Sequence, residues 1–234
     1  MFEFLKDFIF PKRCLGCERW GEYLCSNCVN FVKLNDSRIC PMCNKPSVGG
    51  LVHPACRRPW GLDGLTSIFV YQGVLKRAIT KLKYRFVTDL AETILELFLS
   101  FAGEDKAFTK FVSQENVLLV PVPLYWQRKN WRGFNQAELL GEKIAEKLNI
   151  DFLPDLLIRT RKTKPQTKLT KKERQRNVFN AFTFNQKTPT SYLRRPILLF
   201  DDVWTTGATM RECAKVLKKR RINKVWGLSL ARQS

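Results

Sequence analysis

The sequence predicts an α/β protein in which a parallel sheet is flanked by helices and preceded by a small cysteine-rich module. Three observations lead there. Seven of the eight cysteines fall before residue 57, at repeated two-residue gaps. Beyond Pro59 short apolar runs alternate with helical patterns, which is how βαβ units read. Two of those runs end in segments rich in charge and turn residues, where open parallel sheets bind ligands.

A chain of 234 residues holds one main core plus an accessory module. With 44% apolar, 12% aromatic and 26% charged residues, it is globular in composition and not fibrous or disordered. The expected division is residues 1–59 for the cysteine-rich module and 60–234 for the α/β domain.

At the N-terminus, Phe4-Leu5-Lys6-Asp7-Phe8-Ile9-Phe10 is apolar but carries two charges and ends at Pro11. It lacks the basic lead and small-residue cleavage site of a signal peptide, and a short amphipathic helix packed on a neighbouring surface is expected. The longest apolar run, Leu95 to Ala102, is about half of what a membrane span needs. No span is expected.

The cysteines pair as Cys14-x2-Cys17, Cys25-x2-Cys28 and Cys40-x2-Cys43, and His53-x2-Cys56 repeats the spacing. A two-residue gap lets both ends of a tight knuckle face one tetrahedral ion, so eight ligands suit two zinc ions. The simplest pairing places Cys14, Cys17, Cys25 and Cys28 on one ion and Cys40, Cys43, His53 and Cys56 on the other. An interleaved pairing is the alternative. Without a secretory segment a disulfide framework is disfavoured. A thioredoxin-like redox pair would occur once, at a strand-to-helix junction, and not among Gly16, Asn27 and Pro41. Four protein ligands per ion leave no open position, so the zinc is expected to be structural and to supply much of this module's folding free energy.

In the second part, Ser67 to Tyr71 reads as a strand, Val74 to Tyr84 and Leu90 to Phe101 as helices, and Val117 to Val122 as a buried strand. A helix follows from Gln136 to Leu148. After a basic stretch come a strongly apolar strand, Ile197 to Val203, a helix from Ala208 to Arg220 and a final strand from Lys224 to Ala231.

The most informative segment is Ile197-Leu198-Leu199-Phe200-Asp201-Asp202-Val203-Trp204-Thr205-Thr206-Gly207-Ala208-Thr209. Thr205 to Thr209 set backbone N–H groups and hydroxyls around a helix N-terminus, where dipole and hydrogen bonding both favour a phosphate. The two carboxylates would repel that phosphate if they faced it. From the strand they can instead accept hydrogen bonds from vicinal ribose hydroxyls, assisted by magnesium.

This segment resembles the fingerprint of the phosphoribosyltransferase superfamily, hydrophobic-Asp-Asp-x-x-Thr-Thr-Gly-x-Thr, at every position. The resemblance implies a type I phosphoribosyltransferase-like sheet that binds 5-phosphoribosyl pyrophosphate with magnesium. Asp201 and Asp202 would hold the ribose hydroxyls, and Thr205, Thr206, Gly207, Ala208 and Thr209 the 5-phosphate. The whole chain further resembles the ComF/GntX family of competence-associated, amidophosphoribosyltransferase-like proteins. The resemblance is carried by Phe10-Pro11-Lys12-Arg13-Cys14-Leu15-Gly16-Cys17, by Leu82-Lys83-Tyr84 and by Gln127-Arg128-x3-Arg132-Gly133-Phe134-Asn135-Gln136. Thr163-x2-Gln166, Arg174-x2-Asn177 and Ala181-Phe182 add to it. The family often closes its zinc module with Cys-x2-Cys, whereas Pro59 lies three residues after Cys56. His53 is expected to substitute; otherwise the second ion has three ligands and is labile.

By the same resemblance, transfer chemistry separates pyrophosphate from the ribose C1, which calls for positive charge where pyrophosphate leaves. Arg128, Lys129, Arg132 and the Gly133 amide are the candidates, the alternative being a solvated basic turn. A glutamine amidotransferase is not expected, since Phe2 stands where such enzymes need an N-terminal cysteine.

The balance of 41 Lys and Arg against 21 Asp and Glu leaves +20, a field that attracts polyanions. Nine basic residues and one acid, Glu173, lie between Arg159 and Arg176, a stretch that reads as a mobile loop. Such a loop either closes on the ligand through Gln166 and Lys168 or binds nucleic acid through Lys171, Lys172 and Arg174. Trp126, Trp131 and Phe134 interleave with Arg128, Lys129 and Arg132, as in surfaces that stack single-stranded bases, although such rings also pack into cores. The family resemblance implies a cytoplasmic protein that handles single-stranded DNA in natural transformation beside a competence helicase. Binding of the phosphorylated ribose is favoured over turnover. The alternatives are an active phosphoribosyltransferase with an unknown acceptor and a zinc-ribbon nucleic-acid adaptor with a relic pocket.

Overall fold

The structure is a computed structural model, and it describes residues 12–82, 88–164 and 169–233. The N-terminal Phe4 to Phe10 segment, Gln166 and Lys168, and the end of the helix expected to reach Tyr84 lie outside those residues.

Residues 12–60 are mostly turns, with a short α-helix, α1 (Ser26–Val29). The α/β part follows. Strand β1 (Gly64–Val70) leads to helices α2 (Gly73–Lys81), α3 (Thr88–Ala102) and α4 (Lys106–Val112). Strand β2 (Leu118–Pro121) leads to α5 (Trp126–Arg132) and α6 (Gln136–Leu148), and then to the two-residue β3 (Asp151–Phe152). Strands β4 (Leu157–Arg159) and β5 (Phe182–Phe184) enclose α7 (Lys171–Val178) in the sequence, and β6 (Ile197–Trp204), α8 (Ala208–Lys219) and β7 (Val225–Arg232) complete the chain.

Five strands form one wholly parallel sheet in the order β1-β7-β6-β2-β3. It is covered on both faces, which is why β2 and β6 read as unbroken apolar runs. Successive side chains point to opposite sides. Leu119, Leu198 and Phe200 join a core with α2, α3 and α6, while Leu118, Ile197 and Leu199 join one with α8 and the β4–β5 pair. Helix α6 is bounded by Asn135, whose side chain accepts the Ala137 N–H, and by the left-handed Asn149. A Cβ on Gly141 would stand 3.0 Å from Leu119, so glycine lets this helix settle close on β2.

The basic stretch expected to be a mobile loop is in part ordered. Its start belongs to β4, which pairs antiparallel with β5, and its end is α7. Thr170 and Glu173 form a reciprocal capping box that nucleates this helix despite its lack of an apolar face. The expected strand and helix boundaries elsewhere agree to within about three residues.

The N-terminal module packs on the sheet's β1 edge. Asn35 N–H donates to the Ile68 carbonyl at 2.8 Å and Val70 N–H to the Lys33 carbonyl at 2.9 Å. Further along, Val52 N–H donates to the Asp63 carbonyl at 3.0 Å. Arg38 ion-pairs at 2.9 Å with Asp105, the residue that caps α4.

Candidate functional site

Two side-chain clusters and one sheet edge carry the chemistry. Cys14, Cys17, Cys25 and Cys28 form one cluster, and Cys40, Cys43, His53 and Cys56 the other, with the ligand atoms of each set within 4.8 Å of one another. The sequential pairing is thus the one the fold adopts. Sulfur separations of 3.6 Å for Cys14–Cys25 and Cys17–Cys25 suit tetrahedral zinc, whose thiolates stand about 3.8 Å apart for bonds of about 2.3 Å.

In the second cluster His53 Nδ1 lies 3.5 Å from the Cys43 sulfur and 4.0 Å from that of Cys56. Its Nε2 is 2.9 Å from the Pro46 carbonyl, which fixes the ring so that Nδ1 faces the cluster. Both donor sets therefore fit structural zinc, His53 included. We expect His53→Ala to lower the zinc content of the purified protein from two ions per chain to about one, read by metal analysis; two retained ions would remove His53 from the ligand set.

The two knuckles share one backbone design. Glu18 and Asn44 are both left-handed, with φ of 64° and 63°, and each donates its N–H at 2.9 Å to the first cysteine of its pair. Burial alone would raise the Cys14 thiol, but N–H donors from Cys25, Cys17 and Gly16 outweigh it and bring it to about 6. Cys28, through its hydrogen bond to Cys14, its burial and its contacts with the other thiols, is pushed up to about 12. One thiolate forms readily and another holds its proton until a cation replaces it, so zinc uptake releases protons and weakens on acidification.

The sheet edge lies at the carboxyl ends of β2 and β6. These strands are neighbours, with Pro121 opposite Phe200, and Val122 N–H extends the pairing to the Phe200 carbonyl at 2.8 Å. The Asn135 side chain donates to the Val122 carbonyl at 3.1 Å, fixing the start of α6 beside the same edge. Both expected turns emerge here, one into α5 and the other, Thr205 to Gly207, into α8.

At that second turn a cleft of about 20 Å³ is lined by Asp201, Trp204, Thr205, Gly207, Ala208 and Thr209, among others. Gly207 has a left-handed φ of 76°, and a Cβ there would lie 2.2 Å from the Trp204 ring. Ala208 N–H reaches Thr206 Oγ1 at 3.4 Å. Trp204 is buried beneath the turn, and its Nε1 has no hydrogen-bond partner among the described residues. A larger cleft of about 250 Å³ lies apart from this edge, between β5 and α8. Lys215 and Arg220 sit over the Phe179 and Phe184 rings there, and we do not assign it the chemistry, because it lies away from the strand ends.

Asp201 is half-buried at the carboxyl end of β6. Burial, and then the neighbouring Asp202 charge, raise its pKa well above the ordinary carboxylate range, against the Asp202 N–H that it accepts at 3.0 Å. Arg159, 8% exposed on β4, opposes that rise, and its own pKa is lowered by burial and then by Arg128. Both arginines bind Thr163. Arg128 Nη2 donates to the Thr163 carbonyl at 3.0 Å, and Arg159 Nη2 donates to the Thr163 hydroxyl. Arg159 is the residue that the sequence reading misses, since it appears there only as the first cation of a basic run.

The other expected cations are engaged within the protein. Lys129 ion-pairs with Glu138 at 2.7 Å, Arg132 donates to Gln136 at 3.0 Å, and the Gly133 N–H caps α5 by donating to the Lys129 carbonyl at 2.7 Å. On the same helix Trp126 and Trp131 are 56% and 73% exposed, so these rings lie on the surface and not in the core. On α7, Lys172 is exposed and Arg174 Nε donates to the Leu169 carbonyl at 3.0 Å.

The fold and the clusters define a class: an α/β protein with a parallel sheet and an N-terminal pair of zinc knuckles. Residues 5–57 match the family described as double zinc ribbon domain. The DNA utilization protein YhgH of Escherichia coli K12 is 30% identical over 210 residues, covering 87% of this chain and 86% of that one. Competence protein ComFC of Bacillus subtilis is 30% identical over 218 residues, covering 89% and 83%. Competence protein F of Haemophilus influenzae is 38% identical over 115 residues, about half of each chain. The chain belongs to the ComF/GntX family. Among the described residues no helix is long and apolar enough to cross a membrane.

Proposed function

We propose that this protein binds 5-phosphoribosyl pyrophosphate, or a closely similar phosphorylated ribose, with magnesium at the turn after β6, and that it serves single-stranded DNA handling in natural transformation. The observation that carries the pocket is the carboxylate pair on β6 followed by the left-handed Gly207 at the N-terminus of the twelve-residue helix α8. Asp201 and Asp202 hold the ribose hydroxyls, and Thr205, Thr206, Ala208 and Thr209 hold the 5-phosphate with hydroxyls and N–H groups. The raised pKa of Asp201 fits a carboxylate waiting for hydroxyl donors or a cation to stabilise its charge. Residues 1–59 act as the zinc module and 60–234 as the phosphoribosyltransferase-like domain.

The DNA role rests on three supports: the names of the relatives, the +20 charge, and the exposed Trp126 and Trp131 beside Arg128 and Lys129. Bases stack on such rings while Lys172 and Arg174 of α7 track phosphates. The reading places the protein in the cytoplasm, beside a competence helicase. Affinity for an oligonucleotide of single-stranded DNA is expected to fall about 10-fold or more between 50 and 200 mM salt, given a slope of roughly −0.7 per phosphate neutralised. A flat salt dependence would remove the electrostatic surface.

Calorimetric titration of the zinc-loaded protein with phosphoribosyl pyrophosphate and magnesium tests the pocket. Saturable binding is expected, and no heat at several temperatures would reject it. A second reading, active transfer to an acceptor, is favoured by Arg128 and Arg159 converging on Thr163 near Asp201, where a leaving pyrophosphate would find positive charge. Release of pyrophosphate in the presence of candidate acceptors distinguishes transfer from binding.

A further inference from the structure

The second zinc knuckle reaches the turn that the proposed function assigns to the phosphate. Arg211 lies one turn into α8, and its Nε donates to the Pro41 carbonyl at 2.5 Å while its Nη2 donates to Asn44 Oδ1 at 2.7 Å. Asn44 uses its other end as well, donating through Nδ2 to the Thr206 carbonyl at 3.5 Å. The Arg211 guanidinium also stacks over the Trp204 ring at 5.4 Å, and that ring lies against Gly207. Two of these links, Asn44 to Thr206 and Arg211 to Trp204, touch the segment from Trp204 to Ala208, and the other two tie Arg211 to Pro41 and Asn44 of the knuckle closed by Cys40 and Cys43.

The side chain of Asn44 is aimed by the knuckle itself. Its left-handed φ of 63° and its N–H bond to the Cys40 carbonyl close the turn that presents both cysteines to one ion. The first knuckle makes the same turn with Glu18, a residue with no donor in its ionised side chain that could serve a carbonyl. Asparagine offers a donor and an acceptor together, and here both are used.

We propose that Asn44 and Arg211 are positioning residues through which the second metal cluster, and not the first, sets the shape of the Thr205–Gly207 turn. This rests on the phosphate reading of that turn only for its functional consequence; the mechanical link stands on the contacts themselves. Ordering of the knuckle and occupation of the turn are then linked, and linkage is reciprocal. The ribbon module is in that case part of the binding site and not only a separate adaptor.

The test uses the full-length, zinc-loaded protein with Asn44→Ala and Arg211→Met, the latter keeping an apolar stem over Trp204. Three readings are made: amide hydrogen exchange across residues 204–209, affinity for phosphoribosyl pyrophosphate with magnesium, and the rate at which a chelator removes zinc. Each variant is expected to keep two zinc ions, to exchange faster at the turn, and to bind the ligand about 10-fold more weakly. In the unaltered protein the ligand is expected to slow the loss of one of the two ions. Unchanged exchange at residues 204–209 in both variants would overturn the proposal, as would equal slowing of both ions. If the unaltered protein binds no ligand, the phosphate reading falls while the exchange data still decide the link.

Discussion

Asp201→Asn combined with Asp202→Asn is expected to lower the proposed affinity for phosphoribosyl pyrophosphate by roughly 100- to 10,000-fold, since hydrogen bonds to charged groups contribute about 1.5–3 kcal/mol each. The same change has an opposite effect on the ligand-free fold. A carboxyl whose pKa is raised in the folded state binds protons more tightly there than when unfolded, so its contribution to stability is fully present below the unfolded pKa. That contribution is lost as pH rises through the raised value. At neutral pH Asp201→Asn alone is therefore expected to raise Tm. The gain shrinks as the pH is lowered toward about 4. Calorimetry across pH together with ligand titration reads both effects. A variant that binds normally removes the assignment of these carboxylates, and one that unfolds says that they serve the fold.

Gly207→Ala is the second large effect. The position is left-handed, which costs an L-residue about 1–2 kcal/mol, and its new methyl would lie 2.2 Å from the Trp204 ring, adding about 1–3 kcal/mol of overpacking. The expected loss is about 2–5 kcal/mol in denaturant unfolding, together with loss of ligand binding, because Trp204 supports the turn from below. Gly73 also has a positive φ of 55°, but a Cβ there would meet nothing within 4 Å. Gly73→Ala is therefore expected to cost less, which separates the backbone strain from the steric clash.

Much of this architecture is legible in the sequence. The central strands can be read because burial on both faces leaves nothing but apolar residues in Ile197 to Phe200, and the turn after them because its hydroxyls and Gly207 are contiguous. The cysteine clusters are legible because a knuckle is a local structure with a fixed spacing. What escapes is what depends on distant partners. Strands β4 and β5 are three residues each, too short to show a period, and exist by pairing with one another and packing on α8. Helix α7 carried its capping box in plain view at Thr170 and Glu173, but without an apolar face its charges suggested a loop. Arg159 and Arg211 are anonymous among 41 cations until the fold sets one near Asp201 and the other against Asn44. The pairing of the eight ligands, for which the spacing alone leaves an interleaved alternative, is the sequential one.

The hydrogen bonds that Lys33, Asn35 and Val52 make with residues flanking and within β1 have a consequence for association between molecules. A parallel sheet ends in a strand with unpaired backbone donors and acceptors, and such a border invites pairing with a second chain. Here the short segment Lys33–Asn35 runs antiparallel to Ile68–Val70, and Leu51 bridges Gly64, so the border is sealed at both ends by the protein's own N-terminal part. Zinc removal that loosens that part would therefore uncover a strand built of Leu65, Ile68 and Phe69, and the first sign of metal loss would be self-association through the sheet.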